Sequence, residues 1–283
     1  MERAFGSLLN IVHQDIGDEE LAEIGMILKM RRNFSISVYK DKCMKRRISI
    51  RMRSNRCSNA SDYCELLLQS ERELDLLQKV LTIHVSQFFR NPSMFEKLRK
   101  DILPVLYQNC RENKAPLRIC SLGCAGGEEA YSLAILLREH FAGNVRQTLT
   151  TIDATDIDEG TLNAAIKAEF SEDRLKDLPD LYRERYFYPS GSKMQLAGAI
   201  REMVMFHQND ITKSECFQSC DLLLCRNTLI YFNRPDQERI LKMAADILQQ
   251  GSILVLGRSE TLVGDARNRF TVICPVERIY RRN

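Results

Sequence analysis

Residues 117–137 read LRICSLGCAGGEEAYSLAILL, and this stretch decides the fold of the chain. The apolar run from Leu117 to Leu122 predicts a buried β-strand, and the three glycines after it predict a loop that a ligand can approach closely. Apolar residues then recur at i, i+3, i+4 and i+7, the pattern of a helix lying on a sheet. These residues are Ala130, Leu133, Ala134 and Leu137. Strand, glycine loop and helix form the opening unit of a nucleotide-type α/β fold.

The charge at the start of this helix indicates which ligand the loop holds. A free helix N-terminus attracts phosphate, but Glu128 and Glu129 fill the first turn here. Two carboxylates repel a pyrophosphate and attract an ammonium, and the spacing G-x-x-G-G differs from the dinucleotide fingerprint. A ligand with an adenosine end and a cationic amino-acid end fits best, and S-adenosylmethionine is such a ligand. The alternative is an ordinary strand–turn–helix whose glutamates only complement the helix dipole.

Composition excludes several classes of protein. With 44% apolar and 28% charged residues in a chain of 283, disorder is disfavoured and one large or two modest domains are expected. The net charge of +3 is too small to indicate a nucleic-acid binder. No apolar run reaches membrane-spanning length and the start lacks a signal-peptide core, so we expect a cytoplasmic protein without membrane insertion. The ten cysteines and four histidines lack zinc-site spacing, so we expect no metal.

Residues from about 18 to 80 predict helices only, including one helix over Asp62–Leu81. The run Tyr39–Arg56 is strongly basic, and its apolar residues Met44, Ile48 and Met52 share one helical face. The cations Lys42, Arg46 and Arg53 share a neighbouring face. This run is either a solvated helix or a docking surface for an acidic partner.

Arg90 follows two phenylalanines and precedes Asn91-Pro92, where a helix is expected to break. It suits a carboxylate clamp or a structural ion pair. Beyond it, helical patterns cover four stretches: Phe95–Tyr107, Gly127–His140, Glu159–Lys167 and Pro235–Leu248. Strand patterns cover seven: Leu117–Leu122, Thr148–Ala154, Met203–Phe206, Cys220–Cys225, Ile253–Gly257, Phe270–Ile273 and Val276–Tyr280.

This alternation predicts an α/β fold with a mostly parallel sheet, in which the short link between the last two strands requires an antiparallel pair. Ligands of such sheets bind at the carboxyl ends of the strands. There the chain has Asp156, suited to ribose hydroxyls, and then Asn209 and Asp210, suited to an adenine amino group. The segment RNTLIYFN follows the next strand at 226–233.

Five segments together resemble one known family, the chemotaxis-receptor glutamate O-methyltransferases of the CheR type. They are HVSQFFR (84–90), SLGCAGGEEAYSLA (121–134), ATDID (154–158), CRNTLIYF (225–232) and GRSE (257–260). The resemblance implies a small all-α N-terminal domain, a Rossmann-like methyltransferase domain that binds S-adenosylmethionine, and an antiparallel β-subdomain inserted within 168–202. We expect three parts: a helical receptor-docking domain at 1–83, a lead-in at 84–116 that carries part of the active site, and the methyltransferase domain at 117–283.

The resemblance also implies roles for individual residues. Glu128 would hold the methionine ammonium, Asp156 would hold the ribose, and Gly123 of the preceding loop would also contact the cofactor. Arg90 and Tyr231 match the family's pair near the transferred methyl group. The remaining cofactor-binding positions would be His84, Ser86, Asn209, Asp210, Ile211, Arg226 and Asn227. His84 and Ser86 stand where the family commonly has Asn and Thr.

The reaction implied is methylation of glutamates on the cytoplasmic helical bundle of a chemoreceptor, with S-adenosylhomocysteine as product. The cations Lys42, Arg46 and Arg53 would dock on that bundle, and we expect a monomer that binds no nucleic acid. Two other functions stay open at this point. One is a non-catalytic S-adenosylmethionine-binding regulator, and the other is a methyltransferase acting on RNA or a small molecule.

Overall fold

The computed structural model describes residues 16–82, 86–213 and 217–283. These residues form two compact units. The helical unit contains the described chain up to Thr82 together with Tyr231–Asn233, and the sheet unit contains the rest. Within the described ranges, no helix combines the length and the apolarity needed to cross a bilayer.

The helical unit is built from amphipathic helices, as its sequence patterns predict. They are α1 (Asp18–Arg32), α2 (Asp41–Ser54), α3 (Ala60–Gln69) and α4 (Glu71–Leu81). The predicted stripe of α2 is confirmed, since Met44, Ile48 and Met52 are buried. The buried face of α1 consists of Leu21, Ile24, Ile27 and Leu28.

The prediction of one helix over Asp62–Leu81 is wrong, because the helix is interrupted at Ser70, which lies between α3 and α4. This residue is extended, with φ −121° and ψ 101°, and its side chain accepts a hydrogen bond from the backbone N–H of Glu73. A serine followed three residues later by glutamate is a helix-start signal, which outweighs the continuous apolar pattern. Leu66 in α3 and Val80 in α4 are only half-buried.

A buried carboxylate joins these helices. Glu73 accepts hydrogen bonds from Arg51 Nε at 2.9 Å and from the Tyr63 hydroxyl at 2.7 Å. Burial raises the pKa of Glu73, but these donors outweigh it and lower the pKa below its usual value. Arg51 of the basic helix α2 therefore stabilises the packing of these helices.

The sheet unit has a seven-stranded sheet with the order β6-β2-β1-β7-β8-β10-β9 and a three-stranded sheet with the order β3-β5-β4. The strands are β1 (Leu117–Leu122), β2 (Thr150–Asp156), β3 (Glu169–Phe170), β4 (Phe187–Ser190), β5 (Lys193–Leu196), β6 (Val204–Gln208), β7 (Cys220–Cys225), β8 (Leu248–Leu256), β9 (Phe270–Cys274) and β10 (Ile279–Arg282). The pairs among β6, β2, β1, β7 and β8 are parallel, and β10 is antiparallel to both β8 and β9. The parallel sheet, its antiparallel last pair and the small antiparallel sheet confirm the predicted fold class.

Strand order shows where a ligand would bind. From β1 the chain adds β2 and β6 on one side, then crosses to add β7 and β8 on the other. The switch point therefore lies between β1 and β7, and the crevice at their carboxyl ends is the expected site in an α/β sheet.

Helices cover this sheet, and most of their bounds follow the predicted patterns. They are α5 (Pro92–Lys97), α6 (Leu103–Glu112), α7 (Glu128–His140), α8 (Ala142–Gln147), α9 (Glu159–Lys167), α10 (Asp180–Tyr186), α11 (Gly198–Arg201), α12 (Arg234–Ile247) and α13 (Ala266–Arg269). A π-helical segment, Leu98–Ile102, joins α5 to α6, so the predicted helix Phe95–Tyr107 is longer at both ends. The short helices α8, α10, α11 and α13 were not predicted, because each presents too few residues for a periodic pattern to emerge.

Several strand starts are also corrected. The sequence patterns begin two strands at Thr148 and Ile253, but β2 begins at Thr150 and β8 begins at Leu248. The sequence pattern begins the last strand at Val276, but residues 275–278 form a turn and β10 begins at Ile279. Arg278, the last residue of this turn, has a φ of 54°, a left-handed conformation directly before β10 begins.

Candidate active site

The loop between β1 and α7 has a conformation that requires glycine. Gly123 has a φ of +68°, and a Cβ atom there would lie 2.5 Å from the Thr228 Oγ1 atom. Gly127 has a φ of +85° and begins α7. The loop is held by hydrogen bonds from the Cys124 N–H to the Thr155 carbonyl at 2.9 Å and from the Gly127 N–H to the Cys124 carbonyl at 3.0 Å. The loop is therefore tightly constrained at the place where the sequence predicts a ligand.

Glu128 presents one unused carboxylate oxygen at this loop. Its side chain is 2% exposed, and a Cβ atom on Gly126 would lie 3.0 Å from its Oε1 atom, so the carboxylate folds back over the glycines. Oε1 lies 3.0 Å from Arg174 Nη1, whereas Oε2 is buried without a hydrogen-bond partner among the described residues. Burial raises the pKa of Glu128, and Arg174 is the main opposing influence. A buried oxygen that lacks a donor fits the ammonium of S-adenosylmethionine.

Glu129, by contrast, has protein partners for both of its carboxylate oxygens. Its carboxylate accepts a hydrogen bond from the Ser121 hydroxyl at 2.8 Å and pairs with Arg226 Nη1 at 2.9 Å. The sequence predicts that both glutamates face the ligand. In the structure Glu129 is compensated by Arg226, whereas Glu128 keeps an oxygen without a donor among the described residues.

Asp156 joins the end of β2 to the glycine loop. Its carboxylate accepts hydrogen bonds from the Ala125 N–H at 2.9 Å and from the Asp158 N–H at 3.1 Å. Asp158 in turn caps α9 by accepting a hydrogen bond from the Thr161 N–H at 2.6 Å. Each carboxylate oxygen can accept more than one hydrogen bond, so Asp156 can support the loop and still accept ribose hydroxyls.

The segment Asn209–Asp210–Ile211 follows β6 at the same edge of the sheet. The Asn209 N–H donates to the Asp156 carbonyl at 3.1 Å, which brings the two strand ends together. The Asp210 carboxylate accepts hydrogen bonds from the N–H and the hydroxyl of Thr212, at 2.9 and 2.7 Å, and Ile211 is buried. Asp210 therefore stabilises the turn that contains it, in addition to its predicted contact with adenine.

Arg226 is buried beside the segment that carries Arg90. Its Nη2 atom donates to the Arg90 carbonyl at 2.9 Å and to Asn91 Oδ1 at 2.8 Å, while Nη1 pairs with Glu129. The guanidinium thus connects the first turn of α7 to the backbone around Arg90. These contacts assign Arg226 a supporting task that the sequence does not reveal.

The backbone around Arg90 is held in an unusual conformation. Phe89 and Asn91 have φ values of +50° and +64°, although neither is glycine. The Phe89 N–H donates to the Ser132 hydroxyl at 2.9 Å. Phe88 packs edge-to-face on Phe170, with ring centroids 4.8 Å apart. Because such strain persists only where the surroundings enforce it, the conformation of Arg90 is a feature of the fold.

Glu260, which the sequence reasoning missed, organises the loop after β7. Its buried carboxylate accepts hydrogen bonds from the N–H groups of Gly257 at 2.6 Å, Asn227 at 2.9 Å and Ile230 at 3.2 Å. Asn227 has a φ of +57° and needs this support. The sequence feature that points to this role is the glutamate of GRSE (257–260), which follows a predicted strand.

The remaining predicted residues fall in three places. His84 lies outside the described residues, while the Ser86 carbonyl accepts a hydrogen bond from Arg174 at 2.5 Å. Tyr231 belongs to the helical unit, where its carbonyl accepts the Lys40 N–H at 2.9 Å. The proximity of Tyr231 to Arg90, which belongs to the sheet unit, therefore stays a prediction.

The three cations predicted to dock a partner are exposed on α2. Among the described residues, no carboxylate lies within ion-pair distance of Lys42, Arg46 or Arg53. Arg47 and Arg51 of the same helix are partly buried. In the part of the chain that the structure describes, no group of three or more His, Cys, Asp or Glu side chains has a metal-binding arrangement.

Comparisons with known proteins match both units. The family model described as "CheR methyltransferase, SAM binding domain" matches residues 84–277, and "CheR methyltransferase, all-alpha domain" matches residues 19–82. The chain is 29% identical over 240 residues to a chemotaxis protein methyltransferase of Listeria innocua, covering 85% of this chain and 89% of that one. It is 29% identical over 258 residues to a chemotaxis protein methyltransferase of Borreliella burgdorferi, covering 89% and 91%.

Two further matches cover less of the other protein. The chain is 33% identical over 263 residues to an uncharacterised 104.1 kDa protein of Rhodobacter capsulatus, and spans 27% of that protein's length. Among solved structures, the glycopeptide N-methyltransferase MtfA matches with a TM-score of 0.32 and 12% identity, covering 54% of this chain and 55% of that one.

Proposed function

Because the chain belongs to the CheR methyltransferase family, whose models cover both of its units, we propose that it methylates glutamate side chains on the cytoplasmic part of chemoreceptors. It is an S-adenosylmethionine-dependent methyltransferase. Relatives named chemotaxis protein methyltransferases, similar over most of their length, support the assignment to chemotaxis.

The observation that carries the proposal is the carboxylate of Glu128 at the glycine loop. Its buried Oε2 atom lacks a donor, and an ammonium would supply one. Asp156 would hold the ribose, and Asn209, Asp210 and Ile211 would face the adenine. When bound, S-adenosylmethionine supplies a methyl group activated by its sulfonium and leaves as S-adenosylhomocysteine.

The residues near the methyl group have little proton chemistry to perform. An exposed glutamate has a pKa of about 4.3, so the substrate is already a carboxylate at neutral pH and needs no general base. Arg90 would orient this carboxylate by a charge-assisted hydrogen bond, and Tyr231 would direct one of its oxygens toward the methyl group. Their contribution would be alignment, which lowers a barrier by holding the reacting atoms in line.

The helical unit would bring the receptor to this site. Receptor segments that carry several glutamates are acidic, and exposed Lys42, Arg46 and Arg53 provide a complementary face on α2. We therefore propose residues 1–83 as the docking domain, with residues 84–116 as the lead-in and 117–283 as the methyltransferase domain.

The test is methylation of a receptor cytoplasmic fragment with labelled S-adenosylmethionine. We expect label in alkali-labile methyl esters, a loss of rate of about a hundredfold in Arg90→Ala, and a loss of about tenfold in Tyr231→Phe. Arg111→Ala and Tyr188→Phe change exposed residues of the same types and should leave the rate unchanged. Cofactor binding without ester would indicate a regulator, and label in RNA or a small molecule would indicate another substrate class.

A further inference from the structure

Arg174 has contacts that the proposed reaction does not use. Its Nη1 atom lies 3.0 Å from Glu128 Oε1 and donates to the Ser86 carbonyl at 2.5 Å. The Arg174 carbonyl accepts the Phe88 N–H at 2.9 Å, so the residue also supports the segment that leads to Arg90. Its side chain is 34% exposed, whereas that of Glu128 is 2% exposed. A partly exposed cation therefore neutralises a buried carboxylate from one side.

The two oxygens of Glu128 are consequently in different environments. Oε1 is occupied by Arg174, and Oε2 is buried without a hydrogen-bond partner among the described residues. An isolated buried carboxylate favours its protonated form, because burial penalises the charge. A protonated Glu128 would not attract an ammonium, so something has to keep it ionised before the cofactor arrives.

We propose that Arg174 is a positioning residue that holds Glu128 ionised through Oε1 and leaves Oε2 for the ammonium of the cofactor. This role rests on the proposed function, in which that ammonium lies at Glu128. Arg174 touches neither the methyl group nor the substrate, and it acts through the charge and orientation of its partner.

The other ionisable groups around Glu128 cannot replace Arg174. On α7, Glu129 is paired with Arg226. In the loop, burial raises the pKa of the Cys124 thiol well above its usual value, so the thiol stays neutral. At the end of β2, Asp156 is an acid already bonded to backbone N–H groups. The backbone of Glu128 and the Ser86 hydroxyl also lower the pKa of Glu128 by hydrogen bonding, and neither carries a charge. Arg174 is thus the one cation that compensates Glu128 among the described residues.

The sign of the pH effect follows from these contacts. Burial raises the pKa of Glu128 and Arg174 lowers it, so removing the guanidinium raises the pKa further. Cofactor binding needs the carboxylate, and protonation weakens binding at pH values below the pKa. Without Arg174, affinity should therefore decline at a higher pH than in the wild type.

The experiment is calorimetric titration of the full chain with S-adenosylhomocysteine between pH 5.5 and 7.5, where the ligand's ammonium stays protonated. Arg174→Gln should lose about tenfold more affinity than the wild type as the pH falls from 7.5 to 5.5, because its Glu128 becomes protonated at a higher pH. Arg174→Lys keeps the positive charge and should restore the wild-type profile. Arg183→Gln removes a partly exposed arginine paired with Glu172 and serves as the matched control.

Methylthioadenosine, which has the adenosine end without the amino-acid end, separates this role from a structural one. Arg174→Gln should bind it as the wild type does at every pH. Loss of both ligands would show that Arg174 supports the whole pocket and would overturn the proposal. A pH profile unchanged in Arg174→Gln would overturn it too, and tighter binding at every pH would show that Arg174 competes with the ammonium.

A Glu128→Gln variant tests the premise separately. If it bound S-adenosylhomocysteine as tightly as the wild type, the ammonium would not lie at Glu128, and the proposed role of Arg174 would be refuted. Failure to methylate a receptor fragment would instead refute the proposed substrate, and the pH profile of cofactor binding would still stand.

Discussion

Among single residues, Glu260 shows how a buried carboxylate can stabilise a backbone conformation by accepting hydrogen bonds from N–H groups. Burial raises its pKa, and the N–H groups of Gly257, Asn227 and Ile230 oppose this by hydrogen bonding to the ionised form. The carboxylate is suited to this place because it only accepts hydrogen bonds. Glu260 thus holds the loop after β7, from which Arg226 reaches the backbone of Arg90.

We expect Glu260→Gln to destabilise the protein by about 1–3 kcal/mol, because the glutamine NH₂ group would face backbone N–H donors in either orientation. Urea unfolding monitored on the sheet unit measures this cost. Glu202→Gln, at an exposed position on the same unit, should change the stability by less than about 0.5 kcal/mol. Equal stabilities of the two variants would show that the carboxylate is not needed.

At the scale of an element, the β1–loop–α7 unit depends on glycine at one end of its loop. Gly123 has a positive φ, and its neighbour across the site is Thr228, from the loop after β7. The close approach of these two loops shapes the crevice between β1 and β7. A side chain at this position meets both a backbone penalty and a steric one.

Gly123→Ala should therefore cost about 1–2 kcal/mol for the left-handed backbone alone, with a further loss from the clash with Thr228. The free energy of unfolding and the affinity for S-adenosylhomocysteine should both fall. Gly143→Ala is the matched control, since nothing lies within 4 Å of the added Cβ atom and the position is helical. That change should be neutral or should stabilise by about 0.5–1 kcal/mol. If both variants behaved alike, the loop would tolerate a side chain.

At the scale of the whole molecule, the proposed function requires that the helical unit capture a receptor and that the sheet unit hold the cofactor. The net charge of +3 is small, so long-range attraction depends on where the charges lie. On α2, Lys42, Arg46 and Arg53 are exposed without an ion-pair partner among the described residues, while Arg51 is bound to Glu73. This separation of structural from exposed arginines makes the docking proposal testable.

Charge reversal at Lys42, Arg46 and Arg53 together should raise KM for a receptor fragment by about tenfold or more and leave kcat and cofactor affinity unchanged. The reason is that docking charges act on encounter with the receptor and not on alignment at the methyl group. Added salt should raise KM of the wild type and have less effect on the variant. Lys79→Glu, on the exposed side of α4, is the control. A variant with unchanged KM would refute docking through this face.

Local patterns in the sequence determined the main elements of this protein. The bounds of β1, the glycine loop, the apolar stripes of α1 and α2, and the positions of Glu128 at the start of α7 and of Asp156 at the end of β2 follow from patterns among residues close in the chain. The break at Ser70 was equally local and was missed because the apolar periodicity continues through it. Periodicity reports which face is buried, and it does not report where a helix stops.

Tertiary structure alone decided the pairing of the charged side chains. Glu128 and Glu129 are adjacent in sequence, yet one pairs with Arg174 and the other with Arg226, which is 97 positions away. Glu260 supports Asn227 from 33 positions away. A carboxylate finds its partner only when the sheet and its crossovers bring distant segments together, and burial then makes each pairing strong enough to define the site. The sequence therefore determined which class of ligand the glycine loop attracts. The fold decided which distant residues pair with Glu128 and which ones hold the loop in its conformation.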